Sequence, residues 1–396
     1  MLTAAQKERA LELVLALMAI PGKSGLEAEV AAKVQQELTL AGLSADALMF
    51  DTAHQKCPIP ESTTGNLIVK LDGERPLPRR MLMAHMDTVP ICVGARPVVQ
   101  GNQVVSQDNH TGLGADDRAG VAAVLFAATE ILREGTTHGP LTFLFTVQEE
   151  IGLHGAKNLD PAMLGSPELA FNWDGGDPTK LTVGAIGGYR MTIDIRGHAS
   201  HAGVAPEKGV SAITVAGLAI AKLHAAGLLG KIDQGDLKGT SNIGVIEGGN
   251  ATNVVADRVQ LRAEVRSHVT SSIEFFVRRF EEAFRQAATE VTNTEGQHAL
   301  VQFNGNLNYE AFKMGEETPS VQLAKRVLND LGHKPFASIA NGGLDANWMF
   351  RHGIPTVTLG CGQHNQHMVT EMLDIEQFYI ACEVALQIAS GAGATE

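Results

Sequence analysis

Apolar positions along the chain follow two distinct styles. Over roughly the first 186 residues, and again from Thr318, short solid apolar runs alternate with stretches of helical spacing. Thr3–Met18 and Ser24–Leu40 have helical spacing, and the second stops at Gly42. It opens with Ser24 three residues before Glu27, the pattern of a capping box. The runs Asn66–Leu71, Arg80–Ala84, Leu141–Val147 and Leu169–Trp173 predict buried strands, with a helix over Asp116–Leu132 among them. After Thr318 the same style predicts helix Val321–Leu331, strand Phe336–Ala340, helix Leu344–Arg351, strand Pro355–Leu359 and helix Ile375–Ile388. Alternation of this kind argues for an α/β sheet with helices on its faces.

The pattern changes after Gly187-Gly188. Tyr189–Arg196 alternates as a half-exposed strand does, and a helix over Ser211–Ala225 follows. Two more alternating strands, Ser241–Glu247 and Val254–Arg266, precede a helix over Ser271–Val291 and a last strand near Leu300–Asn304. Strand-helix-strand-strand-helix-strand is a ferredoxin-like α+β module. The expected organisation is one catalytic domain in two parts, 1–186 and 309–396, with the module 187–308 inserted.

Composition narrows the classes. The 396 residues leave room for two or three domains, and 44% hydrophobic with 19% charged residues supports a sizeable core. A net charge of -13 and pI near 5.5 disfavour nucleic acid and anionic membranes as partners. No apolar run approaches the ~20 residues of a membrane span, and the N-terminus leads into an amphipathic helix rather than a signal peptide. Cys57, Cys92, Cys361 and Cys382 are scattered without C-x-x-C spacing, which predicts reduced thiols in a cytoplasmic protein and no thiolate metal site. Met81, Met83 and Met86 are expected in the core.

The chemistry lies where apolar runs end. Leu141–Val147 delivers two adjacent carboxylates, Glu149 and Glu150, and an unpaired buried carboxylate is very costly unless a cation waits for it. Met81–Ala84 leads into His85 and Asp87, Leu169–Trp173 into Asp174, and Thr356–Leu359 towards His364 and His367. Strands that each end in a ligand-type residue predict a metal site at the edge of a sheet. His85 would bind metal, and Asp87 would accept the other ring N–H. Asp116, after Gly112-Leu-Gly114, is either a helix N-cap or a ligand; Asp174 is a turn aspartate or a ligand; one of His364 and His367 completes the set. Two histidines and three carboxylates suit zinc, with cobalt or manganese as substitutes. Five ligands exceed one tetrahedral zinc, so two metals sharing a carboxylate is the better count. Within the glutamate pair, one binds metal and the other serves as general base.

Seven motifs in order then carry a resemblance across nearly the whole chain. They are His85-x-Asp87, Gly114-Ala-Asp116-Asp-Arg118-Ala-Gly120, Glu149-Glu150-x-Gly152, Asn172-Trp-Asp174-Gly-Gly176, Gly197-His-Ala-Ser-His201-Ala-Gly203, Gly342-Gly343-x-Asp345-Ala-Asn347 and His367-x-x-x-Glu371. Together they resemble the M20 metallopeptidase family. The second and fourth look most like its peptidase T (tripeptide aminopeptidase) branch.

The resemblance implies a zinc-exopeptidase-type catalytic domain, a mixed sheet flanked by helices, with an inserted lid and dimerisation domain. It implies His85, Glu150, Asp174 and His367 as ligands to two Zn2+ per chain, with Asp116 bridging, Glu149 as base and Asp87 as the orienting acid. The family's spacing of His then Glu four later selects His367 over His364. Arg118 stands where lysine is commoner; both are cationic and non-ligating. His201 matches the family histidine that stabilises the developing oxyanion, often across a dimer. Asn253 and Arg266 match positions that grip substrate, although Arg266 has Glu264 and Asp257 near it as internal partners. Gly343 offers a backbone N–H by the same resemblance. The implied activity is exopeptidase hydrolysis of short peptides, most like an aminopeptidase. A carboxypeptidase or an N-acyl-amino-acid deacylase is the alternative in the same family, and a homodimer through the inserted domain is expected. A non-catalytic relative normally loses the base or a ligand, and here Glu149 and all five ligands are present.

Overall fold

The computed structural model describes residues 1–391. They form two compact units, one of Met1–Ala185 with the stretch from Lys313 onward, the other of Ile186–Phe312.

The larger unit is built on a mixed sheet. Its centre is four parallel strands side by side, Leu141–Thr146, Arg80–His85, Leu169–Trp173 and Thr356–Leu359. Leu67–Leu71 and Leu48–Phe50 extend one side antiparallel, and Lys180–Ala185 with Phe336–Ala340 lie on the other. Every residue of the four central strands is buried. Helices cover both faces of such a sheet, which is why these strands read as solid apolar runs. The pairings His85 with Thr146, Met83 with Asn172 and Leu359 with Trp173 bring the four C-terminal ends level. Met81, Met83 and Met86 are fully buried packing residues, as expected.

Helix Ala115–Glu134 crosses the sheet and packs on helix Ile375–Ser390. A Cβ on Gly120 would stand 2.2 Å from the Trp173 carbonyl oxygen, so only glycine lets the first turn sit this close to the strand end. Helix Ala4–Met18 begins at Thr3 with a capping box to Gln6. The second expected capping box does not form. Helix Ala28–Leu40 starts three residues beyond the expected turn, and Ser24 and Glu27 bond elsewhere. A small antiparallel sheet that periodicity did not predict joins the hairpin Pro97–Gln100/Gln103–Ser106 to Met372–Asp374 and Gln363–His364.

The smaller unit follows the expected ferredoxin-like succession. Its strands Leu237–Gly248, Arg258–Ser267, Gly187–Arg196 and Leu300–Tyr309 lie in that order, all antiparallel, with an additional edge strand Gly230–Gln234. The third strand begins at Arg258, not Val254. Buried Ile193, Ile195, Leu261 and Val265 meet Phe276, Phe280 and Phe284 from helix Thr270–Glu290. Each such side chain contributes about 1.5–3 kcal/mol by leaving water. The intervening strand residues Arg190, Thr192, Arg262 and Asn304 form the polar face. Among the described residues no helix is long and apolar enough to cross a membrane.

Candidate metal centre

The C-terminal ends of the four parallel strands gather the ligand-type residues, the usual place for a site in an α/β sheet. His85 is buried at the end of its strand. Its Nδ1 lies 3.1 Å from the Asp87 main-chain carbonyl, which can only accept, so Nδ1 carries the proton. That leaves Nε2 facing Asp116 Oδ1, 3.3 Å away, a buried oxygen with no other polar partner. The other oxygen of Asp116 lies 3.3 Å from His367 Nε2, and Glu150 lies 3.0 Å from the same nitrogen. One carboxylate thus faces two imidazoles, one through each oxygen. Three overlapping groups of potential ligand atoms fall within 4.8 Å: His85, Asp116 and Glu150; His85, Glu149 and Asp174; Asp116, Asp117 and Asp174.

This donor set fits divalent cations. Asp87, Asp116, Asp117, Glu149, Glu150 and Asp174 are six acids, with only two imidazoles among them. Burial, reinforced by neighbouring carboxylates, pushes Glu149 well above the usual carboxylate range, Glu150 up to about 7 and Asp174 up to about 6. Pairing with Asp116 and Glu150 raises His367 to about 10. Acids that resist ionising together, beside histidines that hold protons against them, are a site short of positive charge. Oxygen and imidazole donors without thiolate suit zinc, cobalt or manganese.

Asp87 does more than stand behind His85. Its carboxylate is 3.5 Å from the ring, farther than its own carbonyl. It accepts the Glu149 N–H at 2.9 Å through one oxygen, and through the other the Glu150 N–H at 3.2 Å and the Ser24 hydroxyl at 2.6 Å. The expected ring contact is therefore secondary to holding the backbone of the glutamate pair.

The two candidate histidines near the end of the chain have different partners. His364 bonds to Gln377 at 3.2 Å, whereas His367 meets the acids. The loop carrying His367 runs between strands Gln363–His364 and Met372–Asp374 of the small sheet. His367 itself has φ 64°. Glu371 stitches that loop to the approach of Asp116 by accepting from the N–H groups of Leu113, Gly114 and Asp116 at 2.9, 2.7 and 3.0 Å.

Two acids were not singled out by residue type alone. Asp117 is fully buried and accepts from the His85 and Gly120 N–H groups, each at 3.2 Å. Asp345, pushed by burial to about 7, receives the Thr146 hydroxyl at the end of the central strand. A doubled aspartate at a helix start was the available signal for the first; Asp345, on a short helix remote in sequence, had only its motif. Arg118, in the same buried zone, donates to the Gly22 carbonyl at 3.1 Å and touches no ligand position.

The four residues matched to substrate binding are differently placed. Gly343 lies in the larger unit, half-buried in the turn before helix Asp345–Arg351. His201, Asn253 and Arg266 belong to the smaller unit. The His201 and Asn253 loops are joined by the Ala202 N–H donating to the Asn253 carbonyl at 2.9 Å. Arg266 makes the internal pair with Glu264, bidentate at 2.9 and 3.0 Å. His198 exchanges backbone bonds with Val210.

The chain resembles known proteins over nearly its full length. The protein YqjE of Bacillus subtilis is 36% identical over 96% of this chain and 98% of its own. An aminopeptidase PepT from Bacillus cereus superposes with TM-score 0.81 at 35% identity, covering 97% of this chain and 98% of that one. A tripeptidase from Staphylococcus aureus does so with TM-score 0.85 at 31% identity and the same coverage. The sequence model of peptidase family M20/M25/M40 matches residues 81–390, the stretch that contains His85, Asp116, Glu149, Glu150, Asp174 and His367, and the chain is a metallopeptidase of that family.

Proposed function

We propose that the protein is a two-zinc exopeptidase that acts on short peptides as a peptidase T-like aminopeptidase. The observation that carries the reading is Asp116, whose two oxygens each stand 3.3 Å from the Nε2 of a different histidine. His85 and Asp174 would hold one ion, Glu150 and His367 the other, with Asp116 between them. Such a pair, when bound, polarises a substrate carbonyl and lowers the pKa of a water. Glu149 accepts the proton from the attacking water and returns it to the amine nitrogen as the C–N bond breaks, so the proton balance closes. Asp87 fixes the backbone from which both glutamates project. His201, Asn253, Arg266 and Gly343 are assigned to substrate by resemblance. An arginine there favours a peptide with a free carboxylate, and Arg266 would exchange Glu264 for it. Two copies would associate through the inserted unit. The relatives named PepT and tripeptidase support the peptide substrate.

The test is zinc-loaded protein against tripeptides, N-acetyl and N-succinyl amino acids, with metal content measured in parallel. Release of the N-terminal residue from tripeptides is expected. Turnover of acylated amino acids alone would replace the aminopeptidase by a deacylase. Well under one metal per chain, with no activity on adding zinc or cobalt, would remove the metal reading altogether.

A further inference from the structure

Beyond Thr146 the chain leaves its strand, and the four residues up to the glutamate pair have their N–H groups taken by side chains. The Val147 N–H goes to Asn66 Oδ1 at 3.0 Å and the Gln148 N–H to Glu27 Oε1 at 3.0 Å. Those of Glu149 and Glu150 go to the two oxygens of Asp87 at 2.9 and 3.2 Å. Four consecutive amides are thus held by three side chains from three other segments. In the middle sits Gln148, with φ 53°, a left-handed conformation that non-glycine residues adopt reluctantly. Its own side chain is buried and makes no hydrogen bond through Oε1 or Nε2. Gln148 contributes to this turn only through its main chain, whose carbonyl accepts the His154 N–H at 3.0 Å.

The side chain that secures the turn is that of Glu27. Its Oε1 also accepts the Gly25 N–H at 2.7 Å, so one buried oxygen ties the Gly22–Glu27 loop to the residue before the glutamates. From the same loop Ser24 reaches Asp87 at 2.6 Å. A helix cap would spend these groups on its own first turn. Glu27 stands at the N-cap position of helix Ala28–Leu40 and makes no side-chain bond to that helix. The Ser24-x-x-Glu27 motif is instead directed across the molecule, at both ends of the glutamate segment.

We propose that Glu27, assisted by Ser24, is a positioning residue of the hydrolytic centre. It holds the backbone turn at Gln148 that aims Glu149 and Glu150. This rests on the reading of those two as base and ligand. Only Oε1 of Glu27 is engaged, and Oε2 is buried without a partner, so a glutamine with its amide oxygen in the Oε1 place reproduces the working contact.

The test compares wild type, Glu27→Ala, Glu27→Gln, Ser24→Ala and Glu149→Ala. Amide hydrogen exchange is followed over 147–150, zinc affinity by chelator competition, tripeptide turnover by steady-state kinetics and folding by melting temperature. Glu27→Ala is expected to exchange faster at Gln148–Glu150 while still folded. Its zinc affinity and kcat should fall about 10–100-fold, the range for losing a group that orients ligands, with KM within about twofold. Glu27→Gln should recover kcat to within about threefold of wild type. Wild-type exchange and kcat in Glu27→Ala, a loss that merely tracks the unfolded fraction, or a glutamine variant as poor as alanine would overturn the proposal. If Glu27→Ala does not fold, Ser24→Ala decides: it removes one of three bonds to Asp87, and exchange at Glu149 and Glu150 must rise while the melting temperature holds. A wild-type protein inactive on every peptide would defeat the hydrolase reading instead, and the exchange and zinc arms would still judge Glu27.

Discussion

The two units use their polar residues in opposite ways. In the inserted unit burial alternates along Gly187–Arg196 and Arg258–Ser267, aliphatic and aromatic residues point to the helices, and the charges face out. In the larger unit the central strands are buried from end to end, and the charges come where they stop: His85, Asp87, Asp117 and Glu149 are all buried. Buried charge opposes folding unless it is paired or bonded. The inserted unit therefore reads as a stability-optimised surface-and-core pattern, and the larger unit as one that gathers costly groups at one strand edge, where the proposed cation centre would use them. Breaks in hydrophobic periodicity coincide here with the candidate metal centre.

That contrast can be broken by experiment. The largest effect is expected at the base: Glu149→Ala should lower tripeptide turnover by about three orders of magnitude, within the range for a general base. Its zinc content, read by elemental analysis, should stay at the wild-type value; loss of metal would make Glu149 a ligand. Asp116→Ala should cost both ions, since both histidines face this one carboxylate, and chelator competition should show at least about a tenfold loss of affinity. Loss of one ion alone would show that the bridge is not shared. Chelation of wild type should lower the melting temperature, because zinc at about 100 times its Kd stabilises by about 2.7 kcal/mol.

In the inserted unit the prediction concerns stability. Phe280→Ala should cost about 3–5 kcal/mol in denaturant unfolding, since its ring is fully buried among Ile193, Leu261 and Phe284. A smaller cost would mean that the core can collapse onto the space. The least effect belongs to the surface pair Arg285 and Glu281, one turn apart on an exposed helix face. Glu281→Ala should change stability by no more than about 0.5 kcal/mol, and salt should erase the difference.

Much of the molecule was legible in the pattern. The four central strands, their order of chemistry and the strand-helix succession of the inserted unit follow from solid runs, alternation and helical spacing. Met81, Met83 and Met86 are core, and Arg266 takes the internal partner that adjacency offered in Glu264. The misses share a cause. The Ser24-x-x-Glu27 pattern has the local form of a capping box, yet its groups are engaged by residues 63 and 121 positions away. The small sheet that carries the His367 loop pairs segments more than 260 residues apart, from strands too short to show alternation. Periodicity is a near-neighbour signal and is silent about such pairings.

Sequence alone determined which strands are buried, that charge is delivered to their ends, and which residue types meet there, because burial on both faces of a parallel sheet imprints itself directly on composition. Tertiary structure decided the rest: that His367, and not His364, faces Asp116 and Glu150, that Asp116 is exposed to a histidine on each side, and that Asp87 and Glu27 hold the glutamate backbone. These depend on separations of a few ångströms between segments distant in the chain. Hydrogen bonds and charge pairs are sensitive to such distances, and local hydrophobic pattern does not record them.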